Sequence, residues 1–258
     1  MTKNTKRALS VLLTVIMIIT ALPPITVFAA YTFSGGSGTS SDPYLVSTPE
    51  DILNIKNYTS KYFRQTCDIS MSGYSMTPVS SFTGTYDGRG FAISDLKMST
   101  TVYVNMGLFG INYGTIKNVN LLNCNVSSSV SGDFFCGGIV GRNRDGGKIL
   151  DCSVSGSVSA HSIYVNGEVY VGGIVGLNQG IVENCRNSAT VSAGYASAAD
   201  NYAGGIVGNN NATVKNCFNQ GTITVDKGRN CLAAGIAAIN FGSITGVENT
   251  GDIMPTAP

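Results

Sequence analysis

Residues 172–185 read GGIVGLNQGIVENC, and close variants stand at 137–152, GGIVGRNRDGGKILDC, and at 204–217, GGIVGNNNATVKNC. A phrase repeated at a near-constant interval implies that each copy solves the same local packing problem. With the last residue of each phrase as origin, the column runs Leu96, Val119, Cys152, Cys185, Cys217 and Val247, at spacings of 23, 33, 33, 32 and 30. Three positions earlier stand Ile93, Ile116, Ile149, Val182, Val214 and Ile244, and one position earlier Asp95, Asn118, Asp151, Asn184, Asn216 and Gly246.

Residues three apart on a straight strand face opposite sides, so both apolar columns are buried only if the chain bends between them. Asn, Asp and Gly tolerate the left-handed backbone that such a bend requires. Seven positions before the origin lies another column, Asn112, Asn178, Asn210 and Asn240, with Asn143 displaced by the insertion around Asp145 and Gly146. Stacked side-chain amides hydrogen-bond along a ladder. Each copy is therefore one coil of strand, bend and strand, with successive coils about 4.8 Å apart in parallel register. The leading residues of the glycine phrase, Met106, Cys136, Val171, Ala203 and Ala233, supply a third buried face. The paired glycines mark close backbone approach or positive φ. The expected fold is all-β, a right-handed parallel β-helix of about six coils with a short N-terminal capping helix. The helix is read from STPEDILNIKNY: Thr48 as N-cap, Pro49 at the first position, Glu50 and Asp51 at the positive end, and Ile52, Leu53 and Ile55 as the apolar face.

GLFGINYGTI, GGIVGRNRDGGKI, GGIVGLNQGIV, GGIVGNNNATV and the degraded AGIAAINFGSI resemble the GLUG motif of bacterial surface and secreted proteins. FSGGSGTSSDPYLVSTPEDILNI, TCDISMSG and FTGTYDGRGFAISDL are similar to the segment that commonly precedes it, so the resemblance covers about Tyr31 to Ile253. It implies an adhesin-like β-helix with no shared catalytic set. Ala237 and Ala238 depart from the Val-Gly of the motif, and Ala212 from its turn glycine, so the last two coils are less regular.

The organisation expected is a signal peptide at 1–30, a capping segment at 31–90, a GLUG-repeat β-helix at 91–253, and a tail or linker start at 254–258. Lys3, Lys6 and Arg7, the apolar run from Ala8 to Thr20 and the small residues VFAA at 27–30 carry the first of these, and imply export without a stable membrane span. Losing those three from the 16 basic side chains would leave 13 against 15 acidic ones, which argues against a nucleic-acid partner.

The search for chemistry gives no catalytic, cofactor-binding or metal-binding residues. His161 is the one histidine, and neither HExxH nor paired CxxC occurs. A Cys–His nucleophile would need His161 beside Cys136 or Cys152, yet both cysteines sit in apolar columns. Of seven cysteines, Cys152, Cys185 and Cys217 should form an unpaired thiol ladder, whereas Cys124 falls in a column with Ser157, Thr190 and Thr222 and should be exposed. The charged stretch holding Arg142, Arg144, Asp145, Lys148 and Asp151, like Asp87 and Arg89, reads as turn chemistry.

These readings point to a secreted, non-catalytic extracellular or cell-surface domain that presents loops and sheet faces to a glycan or protein partner. The alternatives are a polysaccharide lyase or glycoside hydrolase of β-helix architecture, and a structural spacer of a larger surface protein. MPTAP after the last coil is too short to cap it, so self-association through the C-terminal coil, or continuation of the chain, is expected.

Overall fold

The computed structural model describes residues 31–130, 132–162, 167–194 and 200–255. The expected signal peptide lies outside them. The chain divides into Met1–Thr32 and Phe33–Pro258, and the second unit is the solenoid. Among the described residues no helix is long and apolar enough to cross a membrane.

One complete coil is built from Phe134–Gly137 on the first face, Val140–Asn143 on the second, Lys148–Leu150 on the third and Ser153–Ser162 on the fourth. Each strand pairs in parallel with its counterpart one coil on, as in Cys136↔Val171, Asn143↔Asn178, Ile149↔Val182 and Val154↔Asn187. The first two faces are sheets of five strands and the third of eight, reaching back to Tyr44–Val46 and Tyr62–Gln65. Five coils thus carry all four faces.

The bend column holds. Asn118, Asp151, Asn184 and Asn216 have φ of 52 to 54 or 56, and Gly246 has φ 62. The column before it is buried at Ile116, Ile149, Val182 and Val214, and the column after it at Val119, Cys152, Cys185 and Cys217. The three stacked cysteines are free thiols.

The copy ending at Leu96 does not belong to this column. On the third face Ile116 pairs with Tyr86, while Ile93 pairs with Leu121 on the fourth. Gly88 N–H donates to Lys117 O at 2.9 Å, as Asn118 N–H donates to Leu150 O at 3.0 Å, so Gly88 takes the bend position. Asp95, with φ 57, instead turns the middle of the fourth face and accepts from Asn123 Nδ2 at 2.7 Å. Two corners of the coil use the same Asx chemistry, and a 23-residue spacing joined members of different corners. The same irregularity corrects Cys124: the register shifts between Leu121 and Cys124, which pairs with Gly156. Cys124 is therefore buried, and burial pushes its thiol up to about 11.

The paired glycines answer to space, not to positive φ. A Cβ on Gly172 would lie 2.0 Å from Val175 O, and one on Gly173 would lie 2.3 Å from Gly205 O of the next coil. A Cβ on Gly137 or Gly204 would be as tightly placed, at 2.3 and 2.0 Å from Val140 O and Val207 O, whereas Leu108 in the first coil and Ala234 in the last stand at glycine positions.

The N-terminal end is closed by the helix Pro49–Asn54. Asp51 N–H donates to Thr48 Oγ1 at 3.2 Å and Thr48 N–H to Asp51 Oδ2 at 3.1 Å, completing a capping box. Ile52 and Ile55 are fully buried over the first rungs, while Leu53 is only half-buried.

Candidate functional surface

The Asn column forms an unbroken internal ladder. Nδ2 of Asn112, Asn143, Asn178 and Asn210 donates to Oδ1 of the next member at 2.9, 2.9, 2.8 and 2.8 Å, ending on Asn240. Asn143 is in register because the inserted Asp145 and Gly146 bulge outward after it, in a turn closed by Gly147 N–H to Arg144 O at 2.9 Å. A second ladder runs from Asn187 to Asn219 at 2.8 Å and on to Asn249 at 2.6 Å. Sequence reasoning missed it, although an Asn recurs two places after each of Cys185, Cys217 and Val247. Both ladders use their amides internally, so they are framework.

The outward side chains of the first two faces are of another kind. On the first face, register aligns Asn105, Phe135, Tyr170, Tyr202 and Leu232, one per coil. Phe135 and Tyr170 stack at 5.4 Å between ring centroids and Tyr170 and Tyr202 at 5.0 Å. The hydroxyl of Tyr170 donates to Glu168 Oε2 at 2.7 Å; burial first, then that carboxylate, raises its pKa and keeps it protonated. Asp200, in register with Glu168, takes a bidentate pair from Arg229, Nε to Oδ1 at 2.9 Å and Nη2 to Oδ2 at 2.6 Å.

The second face aligns Ile111, Arg142, Leu177, Asn209 and Ile239 on its outer side. Arg142 lies over the Phe135 ring at 5.6 Å and Arg144 over Tyr113 at 5.9 Å. Both guanidiniums reach one neutral acceptor: Arg142 Nε and Arg144 Nη1 donate to Gln179 Oε1 at 3.1 and 3.3 Å. Burial, and then the charge of Arg144, lowers the pKa of Arg142. The charged stretch read as one turn is thereby divided. Arg142 and Arg144 belong to this face, Asp145 and Lys148 are exposed, and Asp151 accepts from Asn184 Nδ2 at 3.0 Å in the bend column.

The remaining groups weighed in the sequence are apart. His161 follows inward Ala160 and so lies on the outer side of the fourth face, whereas Cys136 and Cys152 are buried inside. Asp87 sits in its turn, bonded by Asn118 Nδ2 at 2.8 Å, Arg89 N–H at 3.0 Å and Lys117 Nζ at 3.3 Å. Burial raises its pKa, but those partners outweigh it and hold the carboxyl below the usual range. Among the described residues no three His, Cys, Asp or Glu side chains gather as metal ligands.

The GLUG motif family matches residues 137–159, 167–192 and 199–224, three of the coils described above. Halomucin of Haloquadratum walsbyi is 34% identical over 156 residues, 55% of this chain. A protein of Evansella cellulosilytica named as a Gly-rich membrane protein is 29% identical over 103 residues, 34% of this chain. The chain spans 2% and 12% of the lengths of these two relatives. In fold it is similar to a Bacteroides ovatus protein assigned as an immunoglobulin A1 protease, with TM-score 0.61 and 21% identity over 88% of this chain and 83% of that one. The chain carries three GLUG motifs, and its repeats wind as a parallel β-helix.

Proposed function

We propose that this is an extracellular or cell-surface domain that binds a partner without catalysing a reaction. The observation that carries the reading is the division of labour among polar residues. Inward amides are consumed by the ladders, whereas the outer sides of the first two faces carry aromatic rings, guanidiniums and carboxylates in register over several coils. Phe135 and Arg142 on one side and Leu232 on the other remain accessible, while Tyr170, Tyr202 and Leu177 between them are buried. A rigid solenoid holds such accessible groups at fixed coil spacing for an extended partner. The matches to Halomucin and to a named membrane protein support placement at the cell exterior.

Of the carboxylates weighed for catalysis, Asp151 stands in the bend ladder and Asp87 in its turn, whereas Asp145 is exposed. The test is a glycan array and whole-cell binding with the purified chain, run beside reducing-end and unsaturated-product assays on acidic and neutral polysaccharides and a cleavage assay on immunoglobulin A1. Binding without turnover is expected. Turnover abolished by Asp145 or Asp151 substitution would replace this reading with the polysaccharide-degrading one, and no ligand in any assay would favour a spacer.

A further inference from the structure

We infer that Arg142 and Arg144, with Phe135, Tyr113 and Asn105 around them, form a subsite for a carboxylate-bearing sugar of an acidic polysaccharide. This deepens the binding reading above and rests on it.

Two guanidiniums converge on the single uncharged oxygen of Gln179 at 3.1 and 3.3 Å. No carboxylate lies within ion-pairing distance of either among the described residues, although three such pairs occur elsewhere, at Asp87, Glu183 and Asp200. Asp145 acts on Arg142 only from beyond ion-pairing distance, so the two like charges still repel, and an anion placed between them relieves that repulsion. Each guanidinium also keeps donors beyond the one spent on Gln179, in the planar fork that matches a carboxylate. Burial first, and then the charge of Arg144, lowers the pKa of Arg142.

The surroundings choose among anions. The half-buried ring of Phe135 and the exposed ring of Tyr113 flank the pair, offering apolar surface to the C–H groups of a sugar. Asn105, one coil before Phe135 in the same outward column, has an Oδ1 with no hydrogen-bond partner. That acceptor is buried, so it is reached only when the Asn105 side chain turns outward, and its partner must then be a donor, which a sugar hydroxyl supplies and a sulfate dianion does not. A sugar polymer laid along the solenoid axis would meet guanidinium donors, rings and the Asn105 amide on neighbouring coils.

The full chain is titrated calorimetrically with polygalacturonate, a neutral galactan, a sulfated glycan and poly-L-glutamate, at low and high salt. Polygalacturonate is expected to bind, more weakly as salt rises. The R142Q/R144Q double variant should lose about tenfold in affinity or more, and Asn105→Leu a smaller factor, with unchanged circular dichroism and Tm. Unchanged affinity in R142Q/R144Q overturns the assignment, and so does equal or tighter binding of poly-L-glutamate or the sulfated glycan. If polygalacturonate fails while another glycan or a cell binds, only this subsite is wrong. If nothing binds, the interaction reading fails with it.

Discussion

The first and last described coils are built alike and covered differently. At the N-terminal end Phe33 stacks on Tyr44 at 4.5 Å and meets Phe63 at 5.5 Å, Phe82 packs on Phe109 at 4.8 Å, and a helix covers the first rungs. In the last described coil the outer edges of Asn230–Ala234, Ala237–Asn240 and Ser243–Thr245 pair with no described residue. Phe241 is 79% exposed there, and Ile236, Ile244 and Val247 are half-exposed, where Ile174, Val182 and Cys185 in mid-stack are fully buried. A coil is stabilised by its neighbours more than by itself, so identical rungs differ in stability according to what lies on each side.

The largest effect expected from that contrast is at Cys185. Cys185→Asp should abolish folding, because a buried unpaired carboxylate costs several kcal/mol, whereas Phe241→Asp should leave the far-UV spectrum and Tm unchanged. Cys185→Val should cost less than ~1.5 kcal/mol, since Val119 holds the same column in coil one. Chemical denaturation of the three proteins measures this, and a folded Cys185→Asp chain would refute the inward column.

The cap comes next. Ile52→Ala should cost about 2–5 kcal/mol by leaving a cavity above the first rung, and Thr48→Ala about 0.5–2 kcal/mol by opening the capping box. If both cost less than a few tenths of a kcal/mol in urea melts, the helix is decoration and the ends do not differ.

The ladders sharpen the comparison within one chemistry. Asn178→Ala removes the ladder bonds to Asn143 and Asn210 and takes the Oδ1 acceptor from the buried Gly180 N–H, and should cost ~1–3 kcal/mol. Asn240→Ala removes an exposed terminal member and should cost a few tenths of a kcal/mol at most. Equal costs in the two variants would mean the ladder does not stabilise.

These columns were legible because each solves a problem set by the backbone: left-handed bends demand Asx or Gly, and close turns demand Gly. The misplaced copy at Leu96 shows the limit of that logic, since Asp95 and Asn118 meet the same demand at different corners. Cys124 was misplaced because a bulge shifts register without marking the sequence. The arginine pair was hidden for a different reason. Alternation along Val140–Asn143 sends Arg142 outward, but its meeting with Arg144 and Gln179 joins two coils across an inserted turn.

A smaller effect is acid sensitivity near the last described coil. The hydrogen bonds from Arg229 hold the Asp200 carboxyl below its ordinary value of 3.8. A depressed folded pKa gives stability that is complete above the unfolded value and is lost as pH falls through the folded one. The segment from Arg229 to Ala234 should therefore loosen only below about pH 4, and Asp200→Asn should remove that step from an acid titration of hydrogen exchange.

Hydrogen exchange by mass spectrometry on the purified chain tests most directly whether one coil differs from another only through its neighbours. The account predicts slowest exchange at Ile174 to Cys185, comparable protection at Ile52 to Phe63 under the cap, and fast exchange at Ile236 to Ile253. Protection of the last coil equal to that at Cys185, in a protein that is monomeric by light scattering, would contradict it.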